Sequence, residues 1–126
     1  MAARRLVTIY HNPKCSTSRQ VLEMIEASGA KPKVVEYLKT GWTKPQLKRL
    51  FADSGLTPRQ ALRTKAKEAE ELGLLDPKVS DVKLFDAMVA HPVLVERPFV
   101  VSSKGAVLCR PKEKVLELLQ LVAGPD

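Results

Sequence analysis

Cys15 is the residue of this chain best placed to do chemistry. It follows a short β-branched and aromatic run, Leu6-Val-Thr-Ile-Tyr10, and a loop punctuated by Pro13, and it precedes a stretch with helical spacing. A cysteine at such a strand-to-helix junction meets the unpaired N–H groups of the first turn and the positive end of the helix dipole. Both favour thiolate over thiol and lower the pKa from its free value of about 8.5. Ser16, Thr17 and Ser18 add hydroxyl donors able to cap the helix and contact an anion, and Arg19 stands one turn on. His11, just before the loop, is in place to orient the thiolate or favour it electrostatically, and reads equally as a capping or packing histidine. The plainer alternative is a buried structural cysteine among ordinary capping residues.

The neighbours of Cys15 narrow the chemistry. Three residues separate it from Arg19, too few for the backbone to wrap a phosphate as Cys-based phosphatase loops do. Ser18 occupies the place where a thioredoxin-type pair would have its second cysteine, so an external thiol must complete any redox cycle. Cys109, between Leu108 and the end of an apolar run, reads as a small strand residue, and a Cys15–Cys109 pair is disfavoured. Two cysteines lack zinc-site spacing, so no metal is expected.

The elements that must position Cys15 follow from periodicity. Leu6–Tyr10, a helix with the stripe Val21, Leu22, Met24 and Ile25, and Val34–Leu38 form a strand–helix–strand unit, with Ser28-Gly29 ending the helix. Parallel pairing through a right-handed crossover is implied. Thr43 to Ala90 reads as mostly helix, with Thr43, Thr57 and Ser80 as starts and His91-Pro92 as a stop. Val93–Val95 and Phe99–Val101 are apolar. Ala106–Cys109 follows across Ser102-Ser-Lys-Gly105, a hairpin turn with Gly where positive φ is needed. Pro111 opens a last helix carrying Val115, Leu116, Leu118, Leu119 and Val122. This order predicts an α/β fold, a thioredoxin-like mixed sheet flanked by helices, with a central helical insertion at about residues 43–90 in a single domain, 1–126.

Composition sets the outer bounds. The 126 residues are 44% hydrophobic and 28% charged, an ordinary globular balance. No apolar run reaches the ~20 residues that span a bilayer, and Met1–Arg5 leads straight into the first strand without a signal-type apolar region. A cytoplasmic protein with no membrane association is expected. The net charge of +7 is concentrated in residues 31–67, which hold ten Lys or Arg against Glu36 and Asp53. A solvated surface accounts for that segment. Nucleic-acid binding rests on charge alone and is disfavoured, because 5% aromatic content provides no stacking platform and Tyr10, Tyr37 and Trp42 read as packing residues.

Four ordered motifs carry a resemblance. His11-Asn-Pro-Lys-Cys15-Ser-Thr-Ser-Arg19 resembles the active-site loop of the glutaredoxin-linked arsenate reductase family. Ala61-Leu-Arg63 followed by Glu70-Glu-Leu-Gly-Leu74 resembles its helical insertion. His91-Pro-Val-Leu-Val-Glu-Arg97-Pro98 resembles the segment before its third strand, and Leu108-Cys-Arg110-Pro111 the entry to its last helix. Lys14 is a departure, standing where better-known members carry a small residue. The resemblance implies that Cys15 is the nucleophile and that Arg63, Arg97 and Arg110 bind the oxyanion. It also implies a cis bond before Pro98 beside the active cysteine. Paired guanidinium forks suit a tetrahedral oxyanion, whereas Arg19, Arg49 and Arg59 read as surface ion pairs. The implied activity is reduction of arsenate to arsenite, with glutathione as co-substrate, glutaredoxin as partner and no bound cofactor. The alternatives are a Spx-type regulator binding RNA polymerase, disfavoured by Ser18, and a mixed-disulfide thiol reductase without arsenate specificity.

Overall fold

The computed structural model describes residues 6–122, and side chains through Leu119. Met1–Arg5 and the side chain of Val122, both read above, lie outside the described residues. The chain forms two compact units, one from the residues up to Tyr37 and from Arg97 onward, the other from Leu38–Glu96.

The first unit is a four-stranded mixed sheet in the order β2-β1-β3-β4. Its strands are β1 (Leu6–Tyr10), β2 (Lys31–Val35), β3 (Phe99–Ser102) and β4 (Gly105–Leu108). β1 pairs in parallel with β2, Leu6 opposite Lys31, and antiparallel with β3, Ile9 opposite Val100. The β3–β4 hairpin turns between Ser102 and Gly105, and Gly105 takes a φ of 135°, a value that favours glycine.

Helix α1 (Ser16–Ala27) makes the crossover from β1 to β2. It presents Val21 and Ile25 to Val7 and Ile9 of β1 and Val100 of β3, all fully buried. Leu118 and Leu119 of α7 (Leu116–Val122) and Cys109 join the same cluster. Each such aliphatic side chain contributes about 1.5–3 kcal/mol by leaving water. That core fixes the first turn of α1 against the end of β1, which is what positions Cys15.

The second strand differs from expectation. It covers Lys31–Val35 rather than Val34–Leu38, because β2 lies at the sheet edge, where Pro32 is tolerated and Lys31 and Lys33 face solvent. An edge strand of this composition lacks apolar alternation, so its first half left no hydrophobic signal. Tyr37, expected inside it, is instead buried at the start of a short helix, α2 (Tyr37–Thr40). The apolar Val93–Val95 adds no strand to the sheet. Pro92–Leu94 form a 3-10 turn, and Val95 makes a single antiparallel bridge to Leu62. The last helix also starts as a 3-10 turn, Lys112–Val115, before α7.

The second unit is helical: α3 (Lys44–Ser54), α4 (Pro58–Ala61), α5 (Lys67–Glu71) and α6 (Asp81–Ala90). Thr43 and Thr57 close complete capping boxes with Gln46 and Gln60, and the Ser80 hydroxyl accepts from Lys83 N. Leu47, Leu50 and Phe51 of α3 and Leu84 and Met88 of α6 are buried, and Phe51 stacks on Phe85 with ring centroids 5.7 Å apart. Arg49 forms its i,i+4 pair with Asp53 at 3.7 Å. Among the described residues Arg59 makes no ion pair; its guanidinium donates to the carbonyls of Leu74, Asp76 and Val79 and staples the segment leading into α6. Three carbonyls converging on one fork outbid any exposed carboxylate. Trp42 is buried, as a packing residue. Among the described residues no helix is long and apolar enough to cross a membrane.

Candidate active site

Cys15 is the N-cap residue of α1, half-buried, with an extended backbone (φ −94°, ψ 120°). Its N–H donates to Asn12 O at 3.0 Å, and its carbonyl accepts from Arg19 N at 3.0 Å. As an N-cap it brings sulfur where Ser or Asp would bring oxygen, and its side chain closes no cap hydrogen bond. No acidic residue sits in the first turn, so the N–H groups there keep their full positive potential.

The thiol responds to five influences. Burial alone would raise it. The backbone N–H of Ser18, the charge of Arg97, the N–H of Thr17 and hydrogen bonding from the Arg97 side chain all favour thiolate, and together they hold Cys15 below its ordinary value. Cys109 behaves oppositely. Fully buried in the core, with Glu117 raising it further and Lys114 only partly opposing, its thiol is pushed up to about 12. Both cysteines are free. The two thiols are therefore driven apart, Cys15 toward the nucleophilic thiolate and Cys109 toward the inert thiol.

The hydroxyls divide. Ser16 is exposed and Thr17 half-buried at the mouth of the site. Ser18, expected among the donors that contact an anion, is fully buried and turned inward instead. Its Oγ lies 2.6 Å from His11 Nδ1 and accepts from Asn12 N at 3.1 Å. The serine is thereby committed to holding the loop, and only its backbone N–H serves the sulfur. Of the two readings of His11, the buried ring takes the packing and capping one. Burial lowers its pKa, Glu36 partly opposes, and Arg19 lowers it further, so the site favours the uncharged imidazole. Its part is to brace Ser18.

The loop has two supports that sequence reasoning missed. Asn12 receives Lys14 N on Oδ1 at 3.0 Å and Cys15 N on its carbonyl, a turn signalled by Asn before Pro. Arg19 donates from Nη1 to Pro13 O at 2.8 Å, so it tethers the loop and, among the described residues, forms no ion pair.

Arg97 is half-buried and precedes buried Pro98 through a cis peptide bond. A second cis bond joins Arg110 to Pro111. The Pro98 carbonyl accepts from Cys109 N at 2.9 Å, tying this segment to the end of β4. The exposed Arg110 donates from Nη1 to Arg97 O at 3.2 Å. Arg63 belongs to the second unit. Its backbone N–H donates to Leu94 O at 2.8 Å, and its half-buried side chain keeps a buried Nε that meets no partner among the described residues. A guanidinium N–H left so calls for an oxygen ligand.

A cleft of about 290 Å³ opens on the first unit, lined by Thr17, Gln20, Arg110, Pro111, Lys112 and Glu113. Thr17 and Gln20 lie one turn apart on α1, a spacing visible in the sequence. Among the described residues no group of three His, Cys, Asp or Glu could hold a metal ion.

Comparison with known proteins bears on what this arrangement does. The ArsC family model matches residues 10–118. The chain is 58% identical over 114 residues to the Synechocystis sp. arsenate reductase ArsI2, covering 90% of this chain and 81% of that one. It is 50% identical over 113 residues to an arsenate reductase of Escherichia coli K12, covering 90% and 80%. A solved structure of an arsenate reductase from Vibrio cholerae superposes with a TM-score of 0.87 at 46% identity, over 91% of this chain and 98% of that one.

Proposed function

The chain belongs to the ArsC family, and from that premise we propose that it reduces arsenate to arsenite with Cys15 as nucleophile. The observation that carries the reading is the Cys15 thiol, held below its ordinary value by the N–H groups of Ser18 and Thr17 and by Arg97. The single working domain is the whole chain, with residues about 43–90 as its helical insertion.

The Cys15 thiolate attacks arsenic(V), and one arsenate oxygen, protonated, leaves as water. Arg63, Arg97 and Arg110 hold the charge on the remaining oxygens. A glutathione thiolate then forms an S–S bond to Cys15. The As–S bonding pair stays on arsenic, which departs two electrons richer as arsenite. Glutaredoxin attacks the glutathione sulfur of the mixed disulfide and returns Cys15 as thiolate. No bound cofactor is needed, since the electrons come from glutathione, a condition met in the cytoplasm. His11, Ser16, Thr17, Ser18 and Pro98 support the loop and the pocket.

Purified protein supplied with arsenate, glutathione, glutaredoxin and an NADPH-linked glutathione reductase should oxidise NADPH in proportion to arsenate. Cys15→Ser should abolish that oxidation. Arsenate-independent oxidation, or full activity in Cys15→Ser, overturns the proposal.

A further inference from the structure

We infer that the cleft lined by Thr17, Gln20, Arg110, Lys112 and Glu113 is the docking site for glutathione, an inference that rests on glutathione being the co-substrate. Two connections join the cleft to the reacting sulfur. The Thr17 N–H favours the Cys15 thiolate, while the same residue lines the cleft. Arg110, also in the lining, braces the carbonyl of Arg97, whose side chain hydrogen-bonds Cys15. Thr17 stands two residues from Cys15, so a thiol held here meets the same end of α1 as the sulfur it must attack.

The charges match as well. Glutathione carries two carboxylates and one ammonium. The cleft offers Lys112 and Glu113 of its own, and at its edge Arg110, whose five-donor guanidinium it shares with the oxyanion. Lys112 Nζ donates to the neutral Gln20 Oε1 at 3.3 Å, and among the described residues neither Lys112 nor Glu113 forms an ion pair. Both charges are thus available to a ligand. An open cleft near the lower end of the range for ligand sites, roughly 300–1,000 Å³, suits a small peptide that keeps part of its surface in water.

The test uses S-methylglutathione, which cannot react, and Cys15→Ser protein. Amide shifts on titration should centre on Thr17, Gln20 and Lys112. Lys112→Glu should weaken binding about tenfold, the loss of roughly 1.4 kcal/mol. N-acetyl-S-methylglutathione, lacking the ammonium, should bind the parent several-fold more weakly than S-methylglutathione, and Glu113→Gln should erase that difference. In turnover, Lys112→Glu should raise the glutathione KM and leave the arsenate KM unchanged. Shifts centred elsewhere, or both variants binding like the parent, overturn the assignment. Binding at the cleft in a protein without arsenate-dependent turnover would sustain this site and remove the proposed reaction; turnover without cleft binding would do the reverse.

Discussion

His11 Nδ1 and Ser18 Oγ stand 2.6 Å apart, both buried, and together they lock the loop that carries Cys15 onto the first turn of α1. The same serine hydroxyl accepts from Asn12 N, and its own N–H favours the Cys15 thiolate. One residue therefore joins loop, helix and sulfur, and the buried histidine holds it there.

Removing the hydroxyl should cost stability. Ser18→Ala leaves His11 Nδ1 and Asn12 N without their partner in a buried setting. The expected loss is about 1–3 kcal/mol. Urea denaturation measures it, and Ser18→Cys should recover little, because sulfur is a weak acceptor.

His11 should make stability depend on pH. Its folded pKa is below the ordinary 6.5, so between the two values the unfolded state binds more protons. Stability is then full above about pH 6.5, falls as pH drops toward the folded pKa, and levels off beneath it. His11→Gln should flatten that part of a stability–pH profile taken by urea denaturation from pH 5 to 8.

How much of this was legible in the sequence depends on how local its cause is. Caps at Thr43, Thr57 and Ser80, the Gly105 turn and Cys15 at the start of α1 follow from neighbours within a few residues, and all were readable. The edge strand Lys31–Val35 was half hidden, because edge position is a property of the sheet and not of the segment. Arg59 and Ser18 looked like surface charge and anion donor, and His11 like electrostatic aid or packing. Each is decided by partners between 7 and 20 residues away in sequence. Gln20 and Lys112, 92 residues apart, share the cleft for a reason no local pattern carries.

Thiol reactivity should separate the cysteines. Alkylation by iodoacetamide should modify Cys15 alone in the native protein, with a rate that rises with pH and levels off below the range of an ordinary thiol. Arg97→Gln removes one of the influences that lower it, so the midpoint should move upward. An unchanged midpoint would mean that Arg97 does not act on the sulfur.

Arg59 should matter to the second unit well beyond a surface charge. Arg59→Ala frees three carbonyls, and the expected destabilisation is roughly 1–3 kcal/mol. Hydrogen exchange should show faster opening at Leu74–Val79, with the amides of β1 and β3 less affected. Arg49→Ala, which breaks only an exposed pair, should shift stability by no more than about 0.5 kcal/mol.

The most direct measurement is the mass of the protein after incubation with arsenate and glutathione in the absence of glutaredoxin. One glutathionyl group should appear on Cys15, located by peptide mapping, only when arsenate is present and with one arsenite released per group. An adduct on Cys109, an adduct that forms equally without arsenate, or no adduct at all would contradict the account.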